Sequence, residues 1–319
     1  MTVDIVLATY NGARYLDLQL TSLISQSFTD WRLLVSDDGS TDETVAILER
    51  YATLDRRIEI VTRRSPGSGV GPALNFLNLL SHSSSDHAVF CDQDDIWFES
   101  KLAALHAEIV RVSARSEKPA LVFAQGYHYY ENAPSINGLT NLNYPRRLSD
   151  FLFLNGGIQG CSMIMNRELV ALACRYGARV AMHDHFISLL AYSFGTVTRL
   201  SLPLMLYRHH KNNVTVSLGG GLMGKVIHHL FRRNFLVDAP HYAAVRSFYL
   251  AVKNDLGTEA RNVLVAYLKL QKTPRLLWPC TALKYRFSIN GSVMFCVYKM
   301  LFGEYVRNES HMKLRRWRV

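Results

Sequence analysis

Phe90-Cys-Asp-Gln-Asp-Asp-Ile-Trp97 sets three carboxylates within four residues, directly behind the apolar run His87-Ala-Val-Phe-Cys91. A short apolar run closed by acids reads as a buried strand that carries charge to its C-terminal end. Asp92, Asp94 and Asp95 repel one another unless a cation offsets them, and capping a following helix would occupy one of them at most. Their ligand atoms are oxygens, which suit Mg²⁺ or Mn²⁺ better than zinc. Such ions are held by one or two carboxylates together with substrate phosphates, so a diphosphate-bearing substrate follows. A second acidic pair, Asp37-Asp38, ends an earlier apolar run, and open α/β sheets bind their ligands at such strand ends.

Outward from these acids, the first half of the chain alternates apolar runs with helical periodicity. Strands are predicted at 3–8, 32–36, 58–61, 87–91 and 120–123, and helices near 15–24, 41–51, 72–80 and 99–112. This alternation predicts an α/β domain, a mostly parallel sheet flanked by helices. Ser40-Thr-Asp-Glu43 has the pattern of a capping box for the second helix. Ser65-Pro-Gly-Ser-Gly-Val-Gly71 is glycine-rich, but Pro72 stands where a dinucleotide loop needs its third glycine. The phosphate-loop pattern is absent too, so this stretch reads as a turn before a helix.

The chain has 319 residues and a formal net charge of +10. The charge is uneven: residues 1–218 hold 19 Lys+Arg against 21 Asp+Glu, and residues 219–319 hold 17 against 5. We therefore divide the chain at the glycine run 219–221 into an N-terminal α/β domain, 1–218, and a basic, mainly helical C-terminal region, 219–319. Within residues 222–235, Met223, Val226, Ile227, Leu230 and Phe231 share one helical face and Lys225, His228, His229, Arg232 and Arg233 the other. The tail ends Lys313-Leu-Arg-Arg-Trp-Arg-Val319. These features predict docking to an anionic membrane surface or a partner; no nucleic-acid motif accompanies the charge. Five widely spaced cysteines give no disulfide framework, and neither a signal peptide nor an apolar run of spanning length is found. The expected place is the cytoplasm, peripherally at the inner face of the plasma membrane.

Val6-Leu-Ala-Thr-Tyr-Asn-Gly12, Val35-Ser-Asp-Asp-Gly-Ser-Thr-Asp42 and the acidic stretch at 90–97, in this order and spacing, closely resemble the N-terminal signatures of family 2 glycosyltransferases. The resemblance runs from residue 3 to about 215 and implies the GT-A (Rossmann-like) fold. It implies that Thr9, Tyr10 and Asn11 line the nucleotide pocket, that Asp37 contacts the base and that Asp38 supports the same loop. Asp92 and Asp94 match the D-x-D pair, with Asp94 as the direct metal ligand and Asp92 nearer the ribose; Asp95 and Trp97 would shape the donor-sugar floor. The wording of the acidic stretch is most similar to the rhamnosyltransferase-like branch that builds bacterial surface polysaccharides.

Two later segments extend the resemblance. Asn155-Gly-Gly-Ile-Gln-Gly-Cys-Ser-Met-Ile-Met-Asn166 resembles the acceptor-side loop, which implies acceptor roles for Gln159, Gly160 and Cys161. Met182-His-Asp-His-Phe186 sits where the family keeps its catalytic acid; the resemblance puts His183 on the acceptor side, in place of a first acid, so that only Asp184 can serve as carboxylate base. The flanking histidines favour this role over a plain helix cap, and their spacing does not suit zinc. Leu206-Tyr-Arg-His-His-Lys-Asn-Asn-Val-Thr215 resembles the closing Arg/His loop, with Arg208 and His210 placed for diphosphate or metal contact. A lone acceptor-side base implies one-step inverting transfer, from a nucleotide-diphosphate sugar such as dTDP-rhamnose to a lipid-linked O-antigen or capsule glycan. A nucleotidyltransferase, or a non-catalytic glycan-binding subunit, is the alternative. The first lacks a basic loop after strand one; the second is opposed by the intact acids.

Overall fold

The computed structural model describes residues 2–131, 134–141, 144–154, 158–210, 235–307 and 314–317. Its first part alternates as the periodicity predicts: β1 (Val3–Thr9), α1 (Ala13–Ile24), β2 (Trp31–Asp37), α2 (Thr44–Leu54), β3 (Ile58–Arg63), α3 (Pro72–Leu80) and β4 (His87–Cys91). Then come β5 (Ile96–Trp97), α4 (Lys101–Ser113), β6 (Ala120–Tyr130), β7 (Ser135–Leu139), α5 (Leu148–Phe151), β8 (Met163–Asn166), α6 (Arg167–Arg175), β9 (Arg179–Val180), α7 (His183–Phe194) and β10 (Thr196–His209). The main sheet runs β3-β2-β1-β4-β8-β6-β10-β5, with β7 pairing β6. Strands β1 to β4 are parallel, whereas β8 lies antiparallel between β4 and β6.

Side chains alternate across the pleat, which divides the core into two layers. Val3, Ile5, Leu7, Leu33, Val35, Val89 and Cys91 meet α1, α2 and α4, while Val6, Leu34, Ala88 and Phe90 meet α3, α6 and α7. The parallel strands therefore end together, and β1, β2 and β4 deliver Thr9, Asp37 and Asp92 to one edge. Helix α2 begins at Thr44, without a side-chain cap, instead of at 41. The capping box does not form because the Ser40 hydroxyl turns inward to donate to Asp37.

The C-terminal region is mainly helical, as expected: β11 (Phe235–Asp238), α8 (Ala239–Val252), α9 (Thr258–Leu270), α10 (Trp278–Tyr285), α11 (Val293–Phe302), β12 (Glu304–Arg307) and β13 (Arg315–Arg316). Phe248, Tyr267, Trp278 and Phe287 join the same apolar layer as Phe76, Phe186 and Leu190, so these helices share the core of the sheet domain. The glycine run and residues 222–234 of the amphipathic segment lie outside the described residues. Trp317, taken above as a membrane-facing tryptophan, is instead buried: its backbone N–H donates to Ala178 and its indole N–H to Ala173.

Candidate active site

Asp37 and Thr9 end neighbouring strands, and the Thr9 hydroxyl donates to the Asp37 carboxylate at 2.8 Å. That carboxylate also accepts from the backbone N–H groups of Gly39 (3.1 Å) and Ser40 (2.8 Å). Expected at the base, Asp37 is instead buried with both oxygens engaged, and it organises the loop. Asp38 turns instead to another loop, accepting from the N–H groups of Val70 (2.9 Å) and Gly71 (2.8 Å) with Arg64 at 3.3 Å. Asn11 has φ 46°, in the left-handed region that Asn tolerates, and its side chain accepts from the Thr41 N–H. Between these loops the Tyr10 ring stands 56 % exposed, open to stack on a planar ligand.

Gln93, the middle residue of the acidic stretch, was not singled out by the motif. Its amide pairs with both the N–H and the C=O of Tyr10, at 2.9 and 3.0 Å, and so ties the acidic loop to the β1 loop. Gly12 lies against it: a Cβ there would stand 2.2 Å from the Gln93 side-chain oxygen, so the Gln93 amide would have to move.

Among the described residues, ligand atoms of Asp92, Asp95 and Cys161 lie within 4.8 Å of one another. This differs from the expected set of Asp94, Asp92 and His210. Asp95 is wholly buried, its Oδ1 accepting from the Arg208 N–H and its Oδ2 without a hydrogen-bond partner. Asp94 faces outward and meets His210 Nε2 at 2.8 Å, while His210 stacks on Tyr15. Burial pushes the Asp92 carboxyl up to about 7, with Asp94 adding to the rise, and Asp95 is raised well above its ordinary value for the same reasons. The carboxylate oxygens of this loop are ligand atoms of the kind a hard divalent cation takes; the buried Cys161 thiol, itself pushed up by burial, does not suit one.

Beneath the acids lies Lys101, also absent from the motif reading. It is fully buried, donates to the Cys161 carbonyl at 2.7 Å, and lies 3.7 Å from the centre of the Trp97 ring. Burial lowers it to about 8 against the pull of Asp95 and Asp92. Trp97, expected on the sugar floor, is thus core packing under the cluster. A signal for Lys101 existed: it shares the apolar face of α4 with Leu105 and Ile109, at spacing i, i+4, i+8.

The long strand β10 closes the site. Its pairing with β5 brings Arg208 back to the acidic loop, where the guanidinium donates to the Asp94 carbonyl at 2.7 Å and lies 3.8 Å from Glu131. Across from it, Asp184 occupies the first turn of α7 and accepts from the N–H of His185 (2.7 Å) and from that of Gly160. Burial is the main cause that lifts it to about 7, and the Asp92 charge adds to the rise. His183 and His185 do not flank it as chemistry. His183 is buried between Phe76 and Phe90 and held near 3 by burial; His185 stacks on Phe151. Asp184 therefore does bond a helix N–H, and what sets it apart from a cap is its raised carboxyl facing Asp92. In the acceptor loop, Gly160 passes so close that a Cβ would lie 2.6 Å from His183 Nε2. Gln159 holds a one-turn helix through its carbonyl, and Cys161 points into the core.

Residues 4–171 match the family model described as glycosyl transferase family 2. The dTDP-rhamnosyl transferase RfbG of Shigella flexneri is 28 % identical over 228 residues, 65 % of this chain and 72 % of that protein. WfgD of Escherichia coli, a UDP-Glc:α-D-GlcNAc-diphosphoundecaprenol β-1,3-glucosyltransferase, is 27 % identical over 169 residues, 53 % of this chain and 61 % of its own. The S. aureus TarS 1-349 structure in complex with UDP-GlcNAc superposes with a TM-score of 0.59 and 16 % identity, covering 94 % of this chain and 81 % of that one. With more than half of its length matched by the family model and the GT-A architecture around its acids, the chain belongs to family 2 of the glycosyltransferases and is a glycosyltransferase.

Proposed function

We propose that the protein transfers a sugar with inversion, L-rhamnose from dTDP-rhamnose being our choice of donor. The acceptor is a hydroxyl of a lipid-linked glycan in O-antigen or capsule-type surface-polysaccharide assembly. The observation that carries this reading is Asp184: a half-buried carboxyl lifted to about 7, anchored by two backbone N–H groups and facing Asp92. A carboxylate so poised takes the proton of the acceptor hydroxyl near neutral pH. The acceptor oxygen then bonds to the anomeric carbon as the bond from that carbon to the diphosphate breaks, which inverts the centre. Asp94, with Asp92, would hold Mg²⁺ or Mn²⁺, which when bound stabilises the charge of the leaving diphosphate. Arg208 borders the same loop and adds fixed positive charge. Tyr10 offers a stacking face for the base, and Asp38 shapes the loop beside it.

The rhamnosyl relative supports the donor, and the diphosphoundecaprenol acceptor of WfgD supports a lipid-linked one. A lipid-linked acceptor places the enzyme at the inner membrane face, in keeping with the basic residues 219–319. The test is a panel of nucleotide sugars with a diphospholipid-linked glycan acceptor. We expect dTDP-rhamnose to be consumed with release of dTDP and no pyrophosphate, and NMR to give a product of opposite anomeric configuration. Pyrophosphate release, preference for another donor, or a retained configuration would overturn the corresponding part.

A further inference from the structure

We infer that the helical hairpin of α10 and α11 is a membrane-inserting surface that seats the enzyme on an anionic bilayer. Seven of the fourteen exposed large apolar side chains among the described residues fall between Leu276 and Phe302. On α11 they form one face: Met294, Tyr298, Leu301 and Phe302, at spacing i, i+4, i+7, i+8, with Phe302 71 % exposed. Cys296 and Met300 hold the opposite face in the core. Leu276, 84 % exposed, joins the same patch, because the neighbouring Arg275 guanidinium donates to the Leu301 carbonyl at 2.7 Å. A contiguous patch of this kind on a folded protein marks an interaction surface.

Charge selects the occupant. Residues 272–302 contain Lys272, Arg275, Lys284, Arg286 and Lys299 and no Asp or Glu, and the first four are exposed around the apolar face. A second copy on the same patch would oppose these cations to themselves. An anionic lipid surface satisfies both features at once, taking the apolar side chains into the acyl boundary and the cations among the headgroups. The hairpin can lie in one leaflet only: no helix among the described residues is long and apolar enough to cross a membrane, and the 10 residues of α11 reach about 15 Å.

The hairpin is also packed against the acceptor side. Phe287, between its helices, meets the Phe153 ring at 5.2 Å, and Ser288 donates to Asp150 at 2.8 Å. Phe151, next to both, stacks on His185, the neighbour of Asp184. A bilayer under the hairpin would therefore hold a lipid-borne glycan near the candidate base. That purpose rests on the lipid-linked acceptor proposed above, so the experiment keeps the two apart.

Flotation of the full chain with vesicles of phosphatidylcholine, alone or with phosphatidylglycerol, reads the surface directly. We expect binding to the anionic vesicles only, weakened by salt. Leu276→Ser with Phe302→Ser, and separately Lys272→Glu with Lys284→Glu, should each lower the bound fraction about tenfold or more, while the exposed control Leu54→Ser leaves it unchanged. Unchanged transfer to a water-soluble acceptor would show that the variants are folded. Equal binding to neutral vesicles, hairpin variants that bind like the parent, or a dimer that light scattering shows to be broken by Leu276→Ser with Phe302→Ser would each overturn the inference. Loss of vesicle binding in the variants, with no use of a lipid-linked acceptor by the parent, would leave the surface standing and reject the acceptor.

Discussion

Buried carboxylates stand at both ends of the parallel strands, and the two ends treat them in opposite ways. At the start of β1, Asp4 is fully buried, yet its oxygens accept from Arg32 Nε (3.0 Å), the Ser83 and Ser85 hydroxyls (2.9 and 2.8 Å) and the Ser84 N–H (2.9 Å). Burial would raise this carboxyl; Arg32 and the serines outweigh it and hold it below its ordinary value. At the far end the neighbours of Asp92 and Asp95 include other acids, whose charge adds to the effect of burial against the pull of the Cys161 thiol and of Lys101, which is fully buried beside them. A carboxylate given its partners by the fold is structural. A cluster left with excess negative charge is built for a ligand that brings the compensation.

The comparison breaks most visibly where the compensation is withheld. Asp94→Asn should lower transfer by about 10⁴-fold or more, and excess EDTA should do the same to the parent enzyme. Full activity in EDTA would show that the acidic end needs no cation. Next in size, Asp184→Asn should cost about 10²-fold to 10⁴-fold in kcat with the donor KM hardly moved, the split expected when a base is removed and binding is kept. Loss of donor affinity instead would make Asp184 part of the pocket. At the other end, Asp4→Asn should destabilise the fold by about 2–4 kcal/mol, since it leaves Arg32 and three serines facing a neutral amide, and kcat per folded molecule should stay put. Urea unfolding beside active-site titration separates these quantities.

Most of the acidic end was legible in the sequence. The alternation of apolar runs gave β1 to β4 and the helices between them, and the placement of the acids behind β2 and β4 pointed to the edge where they meet. What was not legible depends on contacts between segments far apart in sequence. Asp4 looks like a break in an apolar run until the serines of residues 83–85 fold over it, and Gln93 looks like a spacer until its amide meets the Tyr10 backbone. Asp37, Trp97 and His183 turn inward, which the motifs did not foretell for the same reason: each is a polar or aromatic group whose partners lie inside the protein, and a motif does not say which way a side chain turns. The tail misled through composition, since Trp317 among arginines packs on Ala173 and Ala178, while the apolar surface lies on α10 and α11, whose sequence reads as ordinary core.

The smallest effect is the sharpest test of the contrast, because it asks for opposite pH dependence from the two ends. Asp184 and Asp92 titrate near 7 when folded, and an unfolded Asp titrates near 3.9. Between those values the folded chain holds protons that the unfolded chain has released, so their contribution favours folding at low pH and is lost as pH rises through about 7. Asp4, with a depressed value, contributes above the unfolded carboxylate range and loses that contribution only as pH falls below it. Buried histidines complicate the total curve: burial holds His87 near 4 and His183 near 3, so both favour folding as pH rises past the ordinary histidine range. Differences between variants cancel that background. In chelator, the melting temperature of Asp184→Asn relative to the parent should climb by a few degrees from pH 5 to pH 8, because the amide never takes on the charge that the parent must bury, while its oxygen can still accept from Gly160 and His185. The deficit of Asp4→Asn should stay level over that interval. A level difference for Asp184→Asn would mean that its carboxyl is already ionised at pH 5, and the two ends of the sheet would then differ in sequence but not in electrostatics.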